Sequence, residues 1–587
     1  MSETRPTGYP TPREVALPAA AQQRYRNPPE NNPRLSGLPL VILSRIVQHF
    51  PPLAKILWHN ADFGSLTNFK FLDQCPTRYD PCVIPTPSVT ALPSKPDPSY
   101  PLFSTTDPAF YTSNDYILAY RTKRTTPTAV AEYLLQLIRS PPHSLAFVDI
   151  NNERTLAAAK SSTARYEQGK PIGPLDGVPI AVKDEVDIYG YQTTFGSSKV
   201  FAHKGCETAW AVRKLEEAGA IVIGKTNMHE LGTDTTNNNP VKGTPRNPCN
   251  PDYYTGGSSG GSAYAVGAGL VPIAVGEDGG GSIRVPATYC GVYGIKTSHG
   301  RISARPSLSL STSNGVAGPI AATLDDLTLA YRIMSSPDPL DPFSSAFPPP
   351  ALLLSHIASP HRKLLGLYRP WFDDCTPIVR ARCQRAVQNL IDNFGYGIVE
   401  IDLPYLHELR LAHALSIISE MHAAIGGDVS GLNAPNRILL SIAAQTPAHT
   451  YVQTAKLRSL AMSHLAYLYS IHPGMIIVTP TTPMPGVPIR AEEDLTYGIS
   501  DTNTSLRSMR YVFLSNFSGC PSVVSGVGYD DEKSGLMISL MGMAEWGREE
   551  ALIGFARDVA SASFGERRRG RIWVDVLGAV GAGRGWA

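Results

Sequence analysis

The chain has 587 residues, and its 52 Lys and Arg residues almost balance its 50 Asp and Glu residues. This near-neutral charge gives no electrostatic basis for binding nucleic acid or an acidic membrane surface. At this length a folded chain buries about 75% of its surface, so neither disulfides nor a structural metal ion is needed to close the core.

The eight cysteines form no CxxC pair and no Cys/His spacing of the kind that binds metal. We therefore expect reduced thiols and a cytoplasmic protein without a metal site. The first twenty residues contain no apolar run long enough for a signal peptide. No segment reaches the roughly 18 uncharged apolar residues of a membrane helix, so no integral membrane segment is predicted.

The N-terminal 105 residues are predicted to form an extension. Residues 1–35 are polar and rich in proline, which indicates a disordered or draped tail whose loss would cost less than about 1 kcal/mol. Residues 38–58 predict one helix packed on the body of the protein, with an amphipathic segment lying on a membrane as the less favoured alternative. Eight prolines between residues 76 and 101 exclude a helix and predict an extended strap.

The remainder of the chain alternates between apolar strands and amphipathic helices. In chain order, strands are predicted at VPIAVKDEV, AIVIGK, VPIAV, KLLGLYR, GMIIVTPTT and GLMISLMG, and helices at AVAEYLLQLI, ETAWAVRKLEEAGA, SAYAVGAGL, TLDDLTLAYRIMS, TPIVRARCQRAVQNLIDNFG and EEALIGFARDVASAS. This order is typical of an α/β fold. The proline-rich segment 336–350 is the best candidate linker.

Two glycine clusters in residues 255–284, TGGSSGG and GEDGGGS, each present a serine. A phosphate-binding P-loop is excluded because no Gly-Lys-Ser/Thr follows the glycines. The pattern G-x-S-x-G centred on Ser259 fits a nucleophile elbow, but that elbow needs a buried strand in front of it, and NPCNPDYYT is not one. Simple tight turns would explain one cluster more readily than two.

Several segments together resemble the amidase signature family. The central block GGSSGGSAYAVGAGLVPIAVGEDGGGSIRVPATYCGVYGIKTSHGRIS resembles the family signature, GPLDGVPIAVKDEVD its lysine segment and IVIGKTNMHELG its next strand. The resemblance spans about residues 110–565. Because the second glycine cluster reads GEDGGGS, the resemblance is to stand-alone amidases more than to amidotransferase A subunits. It implies one large α/β domain at 106–565, a mixed β-sheet surrounded by helices, with residues 1–105 as the extension and 566–587 as a C-terminal tail.

The resemblance also places the functional residues. It puts the catalytic lysine at Lys183, the bridging serine at Ser258, after a cis peptide bond from Gly257, and the nucleophile at Ser282. It implies amide hydrolysis through an acyl-serine intermediate, without a cofactor. The predicted site list is completed by the oxyanion donors Gly279, Gly280 and Gly281, together with the Ser282 N–H, and by Met228 near the substrate, with Glu230 and Thr479–Thr482 as weaker candidates.

The chemistry sets conditions on the neighbours of these residues. A lysine accepts a proton only when neutral, and burial favours the neutral form. A carboxylate beside the ammonium would oppose this, so Asp184 and Glu185 are expected to point away from Lys183. Asp278 and Arg284 are either groups that orient the glycine loop or a surface salt bridge.

Two other functions stay open. The chain could be the A-type subunit of an amidotransferase, which releases ammonia to a partner, or a non-catalytic protein on the same fold. The partner we expect is a small-molecule amide, without nucleic acid, and a homodimer is an open alternative. The acyl group of the substrate cannot be inferred from these patterns.

Overall fold

The computed structural model describes residues 7–15, 25, 27–28, 32–85, 109–198, 202–350, 363–563 and 567–581. The other parts of the predicted tail, strap and C-terminal tail lie outside these described residues. The strands are β1 (Leu35–Ser36), β2 (Phe147–Asp149), β3 (Pro179–Lys183), β4 (Gln192–Thr193), β5 (His203–Lys204), β6 (Ile221–Thr226), β7 (Ile273–Asp278), β8 (Tyr293–Lys296), β9 (Val316–Ala321), β10 (Leu364–Leu367), β11 (Gly397–Glu400), β12 (Met475–Pro480), β13 (Ile499–Ser500), β14 (Ser522–Tyr529) and β15 (Met537–Met543).

The helices alternate with these strands along much of the chain. They are α1 (Gly37–His49), α2 (Pro51–Asn60), α3 (Ser113–Arg121), α4 (Pro127–Leu137), α5 (Asn152–Glu167), α6 (Trp210–Glu217), α7 (Gly260–Gly267), α8 (Arg284–Tyr289), α9 (Leu324–Met334), α10 (Arg369–Phe372), α11 (Pro377–Phe394), α12 (Leu406–Ala424), α13 (Ala434–Ala443), α14 (Ala448–Ile471), α15 (Glu492–Tyr497), α16 (Thr502–Ser508), α17 (Phe513–Ser518), α18 (Glu549–Ser563) and α19 (Val576–Ala579).

One mixed sheet of eleven strands forms the centre of the molecule, in the order β11-β10-β12-β15-β14-β8-β9-β7-β3-β6-β2. Strand β3 lies between β6 and β7 and runs parallel to both. Strands β12, β15, β14, β8, β9 and β7 pair in an antiparallel manner. The predicted α/β class, with one mixed sheet surrounded by helices, is confirmed.

Strands β3, β6 and β7, one of two groups of parallel strands in the sheet, are almost entirely buried. Parallel strands need crossover connections, and these connections place helices over the sheet. Their sequences are therefore nearly continuous apolar runs, which is why the pattern predicted them. Each strand and helix predicted after residue 105 is found within a few residues of its predicted position. Strands β3, β6 and β7 end at the same edge of the sheet.

Residues 38–58 form two helices instead of the predicted one. Helix α1 ends at His49, Pro51 begins α2, and the two helices bend by 106°. Proline lacks the N–H that would continue helix α1, but it is well suited to the first turn of a new helix. The prediction of packing on the body is confirmed, because Leu40, Val47 and Ala54 pack against Ala434 and Ile438 of α13.

The opposite face of this helix pair is apolar and exposed. Its large exposed side chains are Leu38, Ile42, Ile46, Phe50 and Ile56. Among the described residues no single helix is long and apolar enough to cross a membrane; α1 and α2 together reach that length and composition, but only across their bend.

The described part of the N-terminal tail contacts the body. The Tyr9 hydroxyl donates to Glu545 Oε1 at 2.8 Å, and its ring lies edge-on to Trp546. The Arg13 N–H donates to the Ser463 carbonyl, and the Val15 N–H to His464 Nδ1. Residues 7–15 are therefore draped along the C-terminal half of the chain.

Residues 567–581 also lie against the body, although the sequence suggested an appended tail. Backbone N–H groups of Ile572 and Val574 donate to Pro248 and Ala268. The Trp573 ring meets Phe110 edge-on, with 5.0 Å between ring centroids. This segment therefore packs against both the start and the middle of the predicted domain.

Candidate active site

Lys183 is the last residue of β3, at the edge of the sheet where β6 and β7 also end. Ligands of α/β sheets bind outside the carboxyl ends of the strands. The Lys183 side chain is only 1% exposed. Its Nζ lies 2.8 Å from Ser258 Oγ and 3.2 Å from the carbonyl oxygen of Glu277. Two of the three predicted catalytic residues therefore touch.

The expectation for the two carboxylates after Lys183 is half right. Asp184 points away and accepts hydrogen bonds from the N–H groups of Thr194 and Gly196. Glu185 does not, since its Oε1 lies 2.5 Å from Lys183 Nζ. The physical reason is a turn, closed by a bond from the Val186 N–H to the Lys183 carbonyl, that brings residue 185 back over the lysine.

Ser258 and Ser259 have different surroundings. The peptide bond between Gly257 and Ser258 is cis, as the resemblance implies. The Ser259 hydroxyl donates to the Glu277 carbonyl at 3.1 Å, and Ser259 is fully buried. The residues before Ser259 form isolated bridges and bends instead of a buried strand. The nucleophile-elbow interpretation is therefore not supported.

Ser282 lies in the glycine loop between β7 and α8. The Ser282 carbonyl accepts a hydrogen bond from the Ser259 N–H at 3.1 Å, which joins the two glycine clusters. Gly281 has a φ of +110°, and a Cβ there would lie 2.5 Å from Val512 Cγ2. A side chain at position 281 would thus be strained and would collide with Val512.

The glycine loop is folded around the Asp278 carboxylate. This carboxylate accepts hydrogen bonds from the N–H groups of Gly281 at 2.7 Å and Ile283 at 3.0 Å. The predicted oxyanion donor at Gly281 is therefore already engaged. Within the described part of the chain, the N–H groups of Gly279, Gly280 and Ser282 donate to no protein acceptor.

Arg284 completes the support of this loop. Its Nη2 lies 2.8 Å from Asp278 Oδ1, and both side chains are fully buried. Burial by itself would raise the pKa of Asp278, but the Arg284 guanidinium and the loop hydrogen bonds hold that pKa well below its usual range. The surface salt bridge is therefore the wrong alternative, and the pair orients the glycine loop.

The segment after β6 packs against Ser258. The His229 N–H donates to the Ser258 carbonyl at 3.2 Å, and Met228 beside it is fully buried. Glu230 points away from Ser258 and accepts bonds from Asn433 N–H and Asn436 Nδ2, and burial raises its pKa to about 7. Met228 thus lies beside the site, while Glu230 connects it to α13.

The predicted threonines belong to β12 and the residues that directly follow it. Thr479 of β12 pairs with Met541 of β15, and the Thr481 N–H donates to the Ser539 carbonyl. These contacts place residues 479–482 against β15, so the structure adds no support for their predicted role in the pocket.

A model of the amidase family matches residues 128–553, a span that includes Lys183, Ser258 and Ser282. The chain belongs to the amidase family. It is an enzyme that hydrolyses amides. A fatty acid amide hydrolase from Arabidopsis thaliana is 36% identical to this amidase over 466 residues, which cover 77% of this chain and 76% of the relative.

Two further comparisons agree with this assignment. A glutamyl-tRNA(Gln) amidotransferase subunit from Koribacter versatilis is 28% identical over 478 residues, covering 76% of the amidase and 97% of the relative. A solved chain from a complex that reveals the origins of an s-triazine catabolic enzyme is 28% identical, with a TM-score of 0.70, covering 78% of the amidase and all of that chain. The predicted greater likeness to stand-alone amidases is confirmed.

Sequence reasoning missed two side chains that hold the glycine loop of the amidase. His413 Nε2 donates to the Gly279 carbonyl at 2.8 Å, and burial lowers the pKa of His413 to about 4, so the ring is neutral near pH 7. Asn516 Nδ2 donates to the Asp278 carbonyl at 2.7 Å. Both residues come from distant helices, and no local pattern marks them.

Asp278→Ala is expected to lower the free energy of unfolding of the amidase by about 3–5 kcal/mol, because the Arg284 charge is left buried without its partner. The matched control is Glu400→Ala, which breaks the Arg369–Glu400 pair; both of its side chains are 56% exposed. That change should cost no more than about 1 kcal/mol. Urea unfolding of both variants measures the difference, and equal losses would contradict a supporting role for Asp278.

The same pair predicts a pH dependence of stability. A carboxyl whose pKa is depressed in the folded protein stabilises it fully above its unfolded pKa of about 3.9, and this contribution is lost as the pH falls further. The difference in stability between the amidase and Asp278→Ala should therefore be constant near neutral pH and shrink in acid.

Proposed function

We propose that the chain hydrolyses fatty acid amides to the acid and ammonia or an amine, through an acyl group on Ser282. The contact of 2.8 Å between Lys183 Nζ and Ser258 Oγ is the observation that carries the proposed Ser–Ser–Lys triad. The likeness to plant fatty acid amide hydrolases supports the acyl class.

Proton transfer in the proposed reaction follows the order of the three residues. Ser282 Oγ attacks the amide carbonyl carbon and gives its proton to Ser258 Oγ, while Ser258 passes its own proton to neutral Lys183. The proton then returns by the same route to the leaving amine as the C–N bond breaks. Water attacks the acyl-serine in a second cycle and releases the acid.

The oxyanion of the tetrahedral intermediate needs donors that are already in place. The N–H groups of Gly279, Gly280 and Ser282 are the proposed donors. Asp278 and Arg284 fix the loop that carries them, and His413 holds the Gly279 carbonyl. A loop anchored in this way needs little rearrangement as charge develops on the substrate oxygen.

Apolar side chains against the glycine loop support an apolar acyl group. A Cβ on Gly279 would lie 3.1 Å from Ile417 Cδ1, and a Cβ on Gly280 would lie 3.1 Å from His413 Cε1 and 3.2 Å from Met509 Sδ. With Val512 over Gly281, Ile417 and Met509 form an apolar surface beside the proposed acylation point. Fatty acyl chains gain about 0.8 kcal/mol for each buried methylene on such a surface.

A series of primary amides with acyl chains of 2 to 18 carbons tests the substrate class. We expect kcat/KM to rise by about fourfold for each methylene that is buried, until the pocket is filled. Ile417→Ala should reduce kcat/KM for long chains more than for acetamide, whereas Ile471→Ala, at an exposed end of α14, should change neither. Preference for glutamine or acetamide would contradict the fatty acyl proposal, and preference for glutamine would favour the amidotransferase alternative.

A further inference from the structure

Glu185 is a charged group of the site that the proposed triad does not use. Its carboxylate oxygen Oε1 lies 2.5 Å from Lys183 Nζ. Both side chains are buried, with 8% of Glu185 and 1% of Lys183 exposed. Ser258 Oγ and the Glu277 carbonyl are the other contacts of the same Nζ. The ammonium form of Lys183 would thus be held by a hydroxyl, a carbonyl and a carboxylate.

Other titratable groups surround this contact, and three of them are bound by groups other than Lys183 and Glu185. Asp184 is bound by Thr194 and Gly196, Asp187 by Thr193 and His203, and Lys225 Nζ by Thr193 Oγ1 and the Gln192 carbonyl. The remaining neighbours are Glu277 on β7 and His229 after β6. Burial lowers the pKa of His229, so this ring is neutral at pH 7.

The charges of Glu185 and Lys183 both act on the Glu277 carboxyl. Burial first, and then the negative charge of Glu185, raise the pKa of Glu277 well above its usual range. Two carboxyl groups that share a buried site avoid being ionised together. The raised pKa favours the neutral form of Glu277, whereas the carboxylate that contacts Lys183 Nζ is that of Glu185.

We propose that Glu185 is a positioning residue that stabilises Lys183 while the lysine carries the proton taken from Ser282. This inference rests on the proposed Ser–Ser–Lys function and adds a fourth member to that set. In the acylation step, Ser282 Oγ loses its proton and forms a bond to the carbonyl carbon of the substrate. One proton arrives on Lys183 Nζ by way of Ser258. The step needs no oxidant, reductant or cofactor.

The carboxylate has two opposing effects on the rate. It favours the protonated lysine, so proton abstraction from Ser282 is easier in the transition state. It also stabilises the ammonium form of the resting lysine, which cannot act as a base. An opposite charge within 4–6 Å shifts such a titration by about one to three pH units. A residue that only packed against Lys183 would not shift it.

The test is the pH profile of Glu185→Gln with a long-chain acyl p-nitroanilide as the amide substrate. We expect kcat at the plateau to fall by about 10- to 100-fold, KM to change by less than about threefold, and the acid limb of kcat/KM to move to lower pH by about one to three units. Glu217→Gln on the exposed surface of α6 is the matched control and should change none of these.

Two further variants keep the test decisive. Glu185→Asp withdraws the carboxylate by one methylene, so the acid limb of this variant should lie between those of the wild type and Glu185→Gln. If Glu185→Gln fails to fold, the comparison of Glu185→Asp with the wild type is the test. Glu277→Gln should leave the limb in place, because the raised pKa of that carboxyl already favours its neutral form. The inference is overturned if the acid limb of kcat/KM in Glu185→Gln stays in place or moves to higher pH. It is also overturned if the limb moves in Glu277→Gln instead.

Failure of this inference and failure of the proposed function give different results. If Ser282→Ala is inactive while the limb of Glu185→Gln is unchanged, the triad stands and Glu185 is a packing residue. If Ser282→Ala keeps its activity, the proposed function fails, whatever the Glu185 variants show.

Discussion

Ser282→Ala is expected to reduce amide hydrolysis by a factor on the order of 10⁶, since the loss of a serine nucleophile removes covalent catalysis and leaves only binding and oxyanion stabilisation. The reason is that the acyl group must form on the Ser282 oxygen, at the end of the loop that presents the free N–H groups. The change deletes one hydroxyl from a side chain with no essential packing role, so the melting temperature should stay close to that of the wild type. Hydrolysis of a long-chain amide and thermal melting measure the two quantities.

A fluorophosphonate gives an independent readout of the same nucleophile. Peptide mass analysis should find the label on Ser282 in the wild-type enzyme and nowhere in Ser282→Ala. Ser259 is the informative alternative because it lies in the G-x-S-x-G pattern, yet its hydroxyl is bound to the Glu277 carbonyl. Labelling of Ser259 would contradict the assignment of Ser282 and revive the elbow interpretation.

Lys183→Met should lower kcat by at least about 10²–10⁴-fold, the usual contribution of a general base. Without the amine, Ser258 has no group to receive its proton, and the Ser282 hydroxyl stays protonated. Methionine retains most of the length of the buried side chain, so the loss reports chemistry more than packing. Single-turnover rates with a long-chain amide measure the acylation step directly.

Lys225→Met is the matched control for this experiment. Lys225 is also fully buried, on the neighbouring strand β6, but its Nζ binds Thr193 and the Gln192 carbonyl instead of a serine of the site. We expect this variant to lose stability while each folded molecule keeps its activity. A Lys183→Met enzyme within about tenfold of the wild type, or equal losses in the two variants, would exclude Lys183 as the base.

The sequence predicted the centre of the fold well because parallel strands buried on both faces must be apolar throughout. VPIAVKDEV and AIVIGK therefore marked β3 and β6, and the resemblance placed Lys183 and Ser258, which the structure brings together. The break after residue 49 was also within reach of the sequence, since Pro51 and Pro52 are standard signals for the start of a helix.

Other features depend on contacts between distant parts of the chain. The direction of Glu185 follows from a turn closed by Val186, and no side-chain pattern reveals which way a residue in a turn will point. His413 and Asn516 reach the glycine loop from positions 134 and 238 residues away. Their roles arise from tertiary packing, so a single sequence carries no local sign of them.

The N-terminal segment 7–15 contacts a part of the chain that the ribosome makes much later. Tyr9 is bound to Glu545, 536 residues later in the chain. At about 5–20 residues per second, the ribosome needs roughly half a minute to two minutes to make that interval. Throughout this time the surface that Tyr9 will contact does not yet exist. The first described residues of the chain thus cannot reach their final place until residue 545 has been made.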